Sequence, residues 1–405
     1  MNIPFAPPFI DDDVIEEVID TLKSGWITTG PKVKKLEDEL VKFTNAKKAI
    51  CVNSWTSGAI LVLKWFGVKE GDEVIVPAYT YSATALSVLS CGAKIIMVDV
   101  GEDFSICCNK IRQAITSKTK VIIPVDFGGW PCDYNKIYSI INEEEIKVQF
   151  KPNSLKQSIL NRILILSDAA HSIGAKYQNK SPVSFSDITI FSFHAVKNIT
   201  TAEGGAICLN LDSRFDIEKE FNLMKLYTLN GQSKSALEKS TSNGWKYDIL
   251  FEGLKVNMSD LCASIGLAQI RKYNNTILVK RRNIAERYQN AFNKYKWAQI
   301  PLLKNQTAES SYHLYALRIK NINEDQRNKI IEKIFNKGVS VNVHFIPMPL
   351  LTLFKNLGYK IEDFPASFDN YSREISLPIY PQLINDQVDF IIDSVLKSYE
   401  EVING

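Results

Sequence analysis

Residues 162–210 read RILILSDAAHSIGAKYQNKSPVSFSDITIFSFHAVKNITTAEGGAICLN. Three short apolar runs punctuate this stretch: RILILS, ITIFSF and GAICLN. They are rich in β-branched residues and do not alternate with polar ones, so each is expected to be buried on both faces, as strands of a helix-covered parallel sheet are. The first two end on groups able to do chemistry. Asp168 follows ILILS, and His194 and Lys197 follow ITIFSF. In open α/β sheets ligands bind beyond the carboxyl ends of the strands. The stretch therefore predicts a parallel sheet and places an acid and an amine on its binding edge.

The same rhythm extends towards the N-terminus. AICVN, EVIVP, KIIMVDV and KVIIPV read as strands, each followed by a helical pattern. Asp11–Asp13 can cap a helix carrying Val14, Ile15, Val18, Ile19 and Leu22 at helical spacing. The segment SGWITTGP breaks it, and a second helix is expected over Val33–Phe43. Beyond the sheet, Leu261–Lys272 and Ile277–Tyr295 read as long helices. From Ala308 the order is strand (HLYALRI), helix (Glu324–Asn336), strand (VSVNVHF) and helix (Gln387–Tyr399). The fold class is thus α/β, with a large mostly parallel unit over residues 1–254 and a smaller α+β unit over residues 255–405. Asn230–Asn243 is polar and reads as a loop; Glu143–Leu160 reads as a surface insertion.

Composition narrows the function. The chain has 405 residues, with 48 Lys and Arg against 45 Asp and Glu, a net charge of +3. Nucleic-acid binders concentrate basic charge, and this balance does not. Four histidines and seven cysteines without a CxxC pair give no metal centre and no disulfide framework. The N-terminus MNIPFAPPFIDDD lacks a basic segment and an apolar core, and no apolar run approaches the roughly 20 residues of a membrane span. The expectation is a cytoplasmic protein with no membrane or nucleic-acid partner.

Two more strand ends complete a constellation. AICVN leads into Asn53-Ser54-Trp55-Thr56-Ser57-Gly58, which opens a helix, and EVIVP leads into Tyr79, Thr80 and Tyr81. A lysine, a carboxylate, a helix N-terminus and an aromatic around one edge suit pyridoxal phosphate. The amine condenses with its aldehyde, the carboxylate pairs with the ring nitrogen, the helix N-terminus receives the phosphate and the aromatic stacks on the ring. Taken singly, each residue has an ordinary explanation: Asp168 as a loop cap, Lys197 as a solvated charge, Thr56 and Ser57 as an N-cap. Their position after four different strands of one inferred sheet strengthens the chemical reading.

Several blocks, in order, resemble the DegT/StrS family of sugar aminotransferases, which are pyridoxal phosphate enzymes of fold type I. FSFHAVKNITTAEGGAI is similar to the family's lysine segment and SDAAHSIGA to its aspartate segment. GWITTGP, GDEVIVPAYTYSATA, GLKVNMSDLCASIGLAQI, SSYHLYALRI and VHFIP are similar to further blocks, so the likeness runs from about Gly25 to Tyr380. The resemblance implies that Lys197 forms the Schiff base and moves protons, and that Asp168 pairs with the ring nitrogen. It implies that His171 contacts the ring hydroxyl, that Tyr81 stacks on the ring, and that Thr56, Ser57 and Ser192 bind the phosphate. Asn257 would reach the cofactor of a neighbouring subunit in a homodimer with shared sites. Trp26, Thr28, Thr29 and His313 would face the sugar. Trp55, Asp126, Ala202, Asn230 and Pro349 depart from the pattern and bear on sugar specificity.

The implied activity is amino transfer from L-glutamate to a nucleotide-linked keto-sugar, a 4-keto-6-deoxyhexose first, for amino-sugar and surface polysaccharide (O-antigen) synthesis. A 3-keto-sugar or cyclitol aminotransferase and a sugar dehydratase of the same fold are the alternatives. Some relatives with dehydratase activity carry histidine in place of the lysine, so Lys197 favours transamination.

Overall fold

A computed structural model describes residues 1–234 and 245–403. The seven runs read as strands of the large unit are strands of one sheet: β1 (Lys48–Val52), β2 (Glu73–Pro77), β3 (Lys94–Val98), β4 (Thr119–Ile122), β5 (Leu164–Asp168), β7 (Ile188–Ser192) and β8 (Gly205–Leu209). β6 (Lys176–Tyr177) pairs elsewhere. The strand order is β1-β8-β7-β5-β4-β2-β3, and only β8 runs against its neighbours. The reversal has a local cause. The link from β7 to β8 contains no helix, and a parallel return needs a helical crossover, so the chain turns back. Lys197 sits in that return loop. Gly205 permits its closure, because a β-carbon there would stand 2.6 Å from the Phe191 carbonyl oxygen and 2.9 Å from the Trp55 nitrogen.

Successive side chains of β1, β7 and β8 alternate between two cores. Cys51, Phe191 and Cys208 pack on one face, and Ile50, Ile190 and Ile207 on the other. Both faces are buried, which is why the strands read as unbroken apolar runs. Buried Cys51 and Cys208 act as small hydrophobes, and all seven cysteines are free thiols. Among the described residues no helix is long and apolar enough to cross a membrane.

The C-terminal part of the chain holds β9 (Ala298–Gln299), β10 (Ala308–Glu309), β11 (Tyr315–Ile319) and β12 (Glu374–Leu377). β12, β11 and β9 form an antiparallel sheet covered by helices Glu324–Asn336 and Asn385–Ile403. Three expectations need correction. VSVNVHF is not a strand; it makes single bridges to two different partners, Val339 to Ile3 and Asn342 to Ser376, so no ladder forms. Glu143–Leu160, read as a surface insertion of little periodicity, is helical in part. It forms helices Glu144–Gln149 and Leu155–Leu160, which bury Ile146, Phe150 and Leu160. Those helices are too short to show a period in sequence. The expected break between the two long helices is a π-helical turn, Tyr273–Ile277, that joins Asp260–Lys272 to Leu278–Phe292. Of the polar stretch Asn230–Asn243, residues 235–243 lie outside the described residues.

One long-range cap ties segments far apart in sequence together. Helix Pro31–Thr44 begins at Gly30, which has no side chain to receive the first N–H groups. The buried carboxylate of Asp260 takes that role, accepting from the backbone of Gly30, Lys32 and Val33 at 2.8, 3.0 and 2.9 Å. Asp260→Ala would orphan three donors, and hydrogen bonds to charged groups contribute about 1.5–3 kcal/mol each without full additivity. The expected loss is about 2–3 kcal/mol, read as an earlier urea midpoint of the protein. An unchanged midpoint would show that the cap is dispensable.

Candidate active site

The ends of β5 and β7 and the segments following β1 and β2 open on one cavity of about 480 Å³, within the range of small-molecule sites. Asp168, the last residue of β5, is held by Thr84, whose hydroxyl donates to Oδ2 at 2.8 Å, and by the Ala170 N–H, which donates to Oδ1 at 3.2 Å. Burial pushes its carboxyl up to about 7, against the pull of these bonds and of the Lys197 charge. Burial pushes the Lys197 amine down to about 8, with the Asp168 carboxylate opposing. Each group sits near neutrality because water has been removed from both. A lysine with a substantial neutral fraction near physiological pH is able to act as a nucleophile and a base.

A second wall can hold an anion. Ser54 caps helix Trp55–Trp65, its hydroxyl accepting from the Ser57 N–H at 3.0 Å. The backbone N–H groups of Trp55 and Thr56, in the first turn, have no intrahelical acceptor and stand at the positive end of the helix dipole. Thr56 and Ser192 line the cavity beside them. The Ser57 hydroxyl is engaged with Ser54 at 2.8 Å, within the cap. Among the described residues the buried Trp55 indole N–H has no hydrogen-bond partner.

The histidines have assignable protons. His171 Nδ1 receives the Gly128 N–H at 3.2 Å, so its hydrogen lies on Nε2. His313 Nδ1 faces Asn198 Oδ1 at 2.9 Å, while the Asn198 amide nitrogen donates to Ser311 O. His313 therefore carries its hydrogen on Nδ1 and leaves Nε2 as an acceptor. Burial holds both imidazoles well below the usual histidine range, hence neutral, and their rings lie 4.3 Å apart. The turn that supplies Gly128 needs its glycines: Gly129 has φ +97°, and a β-carbon there would meet Ser311 Oγ at 2.2 Å. Tyr81 stands at the cavity mouth, 63% exposed, with its ring 5.8 Å from Phe345.

The structure thus brings Thr56, Tyr81, Asp168, His171, Ser192, Lys197 and His313 to one cavity. Trp26, Thr28, Thr29 and Asn257 gather elsewhere, at the start of helix Asp260–Lys272. Asn257 Nδ2 donates to Thr29 Oγ1 at 2.5 Å, Trp26 Nε1 to Thr29 O at 3.2 Å, and the Asp260 N–H to Thr28 O at 3.2 Å. The sequence reading missed Ser54, Thr84, Arg281, His344 and Phe345, all of which line the cavity. Thr84, one helical turn beyond Thr80 in AYTYSAT, was findable. Arg281, His344 and Phe345 arrive from beyond the large sheet in sequence, and no strand-end rule points to them. Asp126 takes a structural place behind the cavity, accepting from Cys132 N–H, Tyr134 OH and Ser172 OH at 2.9, 2.8 and 2.6 Å.

The sequence matches the DegT/DnrJ/EryC1/StrS aminotransferase family over residues 8–150 and 158–396. The chain belongs to this aminotransferase family. A Streptococcus pneumoniae protein described as the putative sugar aminotransferase Spr1654 is similar in its PMP-form, with 41% identity, 99% and 100% of the two chains covered and a TM-score of 0.95. Its PLP-form superposes with a TM-score of 0.94 at 40% identity, over 100% of each chain. The spore coat polysaccharide biosynthesis protein SpsC of Bacillus subtilis is 34% identical over 97% of this chain and 96% of its own. Helicobacter pylori PseC, an aminotransferase involved in pseudaminic acid biosynthesis, is 27% identical over 99% and 100% of the chains with a TM-score of 0.86. This aminotransferase has the fold type I architecture, and the family is pyridoxal phosphate-dependent.

The electrostatics of the aminotransferase site are open to a direct check. Asp168 raises the Lys197 pKa, so Asp168→Asn should drop it below about 8 in the cofactor-free protein. NMR titration of the reductively methylated lysine, assigned with Lys197→Arg, reads the shift. An unchanged or higher value would contradict the placement.

Proposed function

We propose that this sugar aminotransferase carries an amino group from L-glutamate to a nucleotide-linked keto-sugar, a 4-keto-6-deoxyhexose in the favoured case. The observation that carries the reading is the Lys197 amine and the Asp168 carboxyl facing one cavity with an anion-receptive helix terminus on its wall. The cavity suits pyridoxal phosphate group by group. A buried carboxyl raised to about 7 has room for a cationic partner beyond Lys197, and the first-turn N–H groups of helix Trp55–Trp65 suit a phosphate. Bound there, pyridoxal phosphate supplies an aldehyde for amines to condense with and a ring that takes up the electrons left when a neighbouring carbon loses a proton.

The residues then divide the work. Asp168 holds the ring nitrogen protonated. Thr56, Ser57, Ser192 and the helix terminus bind the phosphate, and Tyr81 covers the ring. His171 Nε2–H donates to the ring oxygen. Lys197 Nζ, neutral in part, takes the proton from the donor's α-carbon and returns it. Arg281, held by the carbonyls of Tyr312 and His313 at 3.0 and 2.8 Å, offers a buried cation for the donor's carboxylate. His313 Nε2 accepts from a sugar hydroxyl.

Trp26, Thr28, Thr29 and Asn257 lie outside the cavity of their own chain, which accords with service to the sugar and phosphate of a second copy; the working form is a homodimer. We place the unit boundary at residues 254 and 255, and the enzyme in the cytoplasm, in amino-sugar synthesis for a surface polysaccharide such as O-antigen. The names of SpsC and PseC support a sugar acceptor of that kind.

The purified protein loaded with pyridoxal phosphate should absorb in the visible and lose that band when glutamate is added. Lys197→Ala should slow turnover by about 10²–10⁴-fold, the contribution of a positioned acid–base group, with cofactor still bound. A protein that stays colourless with added cofactor would overturn the reading.

A further inference from the structure

One buried network reaches the cavity without a place in this scheme. His344 lines the cavity, with its ring stacked on Phe5 at 5.5 Å. Its Nδ1 lies 2.9 Å from Ser376 Oγ, and Ser376 Oγ lies 2.5 Å from Glu374 Oε1. The His344 backbone N–H donates to the other carboxyl oxygen, Oε2, at 3.0 Å. Glu374 and Ser376 are alternate residues of β12 on one face, and both are wholly buried. We propose that Glu374, Ser376 and His344 form a proton relay whose outer end, His344 Nε2, gives a substrate hydroxyl the proton with which it leaves as water when nitrogen replaces oxygen on the sugar carbon. The relay rests on the transamination reading above.

The hydrogen count permits it. A serine hydroxyl has one hydrogen to donate. With Glu374 ionised, Ser376 donates to Glu374, His344 Nδ1–H donates to Ser376, and Nε2 is bare. With Glu374 protonated, Glu374 donates to Ser376, Ser376 donates to Nδ1, and Nε2 carries the hydrogen. In the transfer, Nε2 gives its proton to the hydroxyl oxygen, the Ser376 hydrogen moves to Nδ1 and the Glu374 hydrogen moves to Ser376. That hydroxyl is the former keto oxygen, which took a proton from the amine as its nitrogen bonded to the keto carbon. Its C–O bond breaks with the electron pair on oxygen, water departs, and the lone pair of the nitrogen forms the second bond to carbon, leaving a positive charge on nitrogen and a negative one on Glu374. The imidazole stays neutral at both ends, and the mobile proton is stored on Glu374.

The surroundings favour that store. Arg318 is the register partner of Glu374 on β11. Arg327, on helix Glu324–Asn336, directs its guanidinium to the Glu374 main-chain oxygen at 3.0 Å. Among the described residues neither arginine forms an ion pair with the Glu374 side chain. The Tyr79 hydroxyl, a further titratable neighbour, donates to His344 O at 2.6 Å. Burial therefore dominates and pushes the Glu374 carboxyl up to about 8. His344 faces Lys197, with His171 and His313 beyond it; burial and the lysine charge push it down to about 3, so the imidazole passes a proton on rather than keeping it.

His344 is the end that meets substrate, and Glu374 and Ser376 are positioning residues acting through it. Two measurements separate a relay from a merely structural network. In the cofactor-free protein, infrared difference spectra should show a protonated-carboxyl band that titrates near pH 8 and is missing in Glu374→Gln. In single turnovers of enzyme loaded with the amine form of the cofactor, the wild-type rate with keto-sugar should fall as pH rises through that same titration, because the donor must be protonated. Glu374→Gln and Ser376→Ala should each be slower by about 10²-fold and lose that limb, with unaltered cofactor absorbance. Variants with wild-type rate and profile, or slower variants that keep the limb, would overturn the relay. Wild-type protein that transfers no amino group, yet shows the titrating band, would instead overturn the transamination reading.

Discussion

Asp168 and Lys197 are opposite charges removed from water at the same edge of one sheet, and the rest of the structure serves that juxtaposition. Desolvation alone would neutralise both groups. Their mutual attraction opposes it, and the balance leaves each within reach of neutral pH. The pair can be both acid and base only while water is kept out, and that exclusion is the work of the elements around it.

The topology supplies the exclusion. Because β8 turns back beside β7, the loop between them lies across the strand ends and carries Lys197 over Asp168. Gly205 lets that return close against Trp55, and Trp55 begins the helix whose first turn stands at the cavity wall. The third wall is remote in sequence. Arg281 fixes the Tyr312–His313 backbone, and the segment at His344 is tied through Ser376 and Glu374 to β12. Site and fold are coupled by buried polar groups that find partners only in this arrangement.

What was legible in the sequence follows from this division. The seven strands of the large sheet could be read because burial on both faces demands unbroken apolar runs. Asp168 and Lys197 could be read because the strand-end rule points to them. VSVNVHF misled because it has the composition of a strand; its backbone bonds are divided between Ile3 and Ser376, and composition does not reveal a partner. β12 stayed hidden because Glu374–Leu377 is only four residues long, too few for its alternation to stand out, and its polar Glu374 and Ser376 are buried as fully as Ile375 and Leu377. The Asp260 cap and the Arg281 clamp escaped for a similar reason: each joins residues far apart in sequence, and no local pattern marks such a pair.

The central claim is that the cavity joining Lys197, Asp168 and the anion-binding helix terminus moves nitrogen from an amino acid to a sugar. The most direct measurement incubates the loaded enzyme with ¹⁵N-glutamate and a panel of nucleotide-linked keto-sugars, and reads the sugar products by mass spectrometry. The account predicts one ¹⁵N in an amino-sugar nucleotide, formed in step with 2-oxoglutarate and about 10²–10⁴-fold more slowly with Lys197→Ala. Glutamate consumed with no labelled sugar from any member of the panel, or a sugar that loses oxygen without gaining nitrogen, would contradict it.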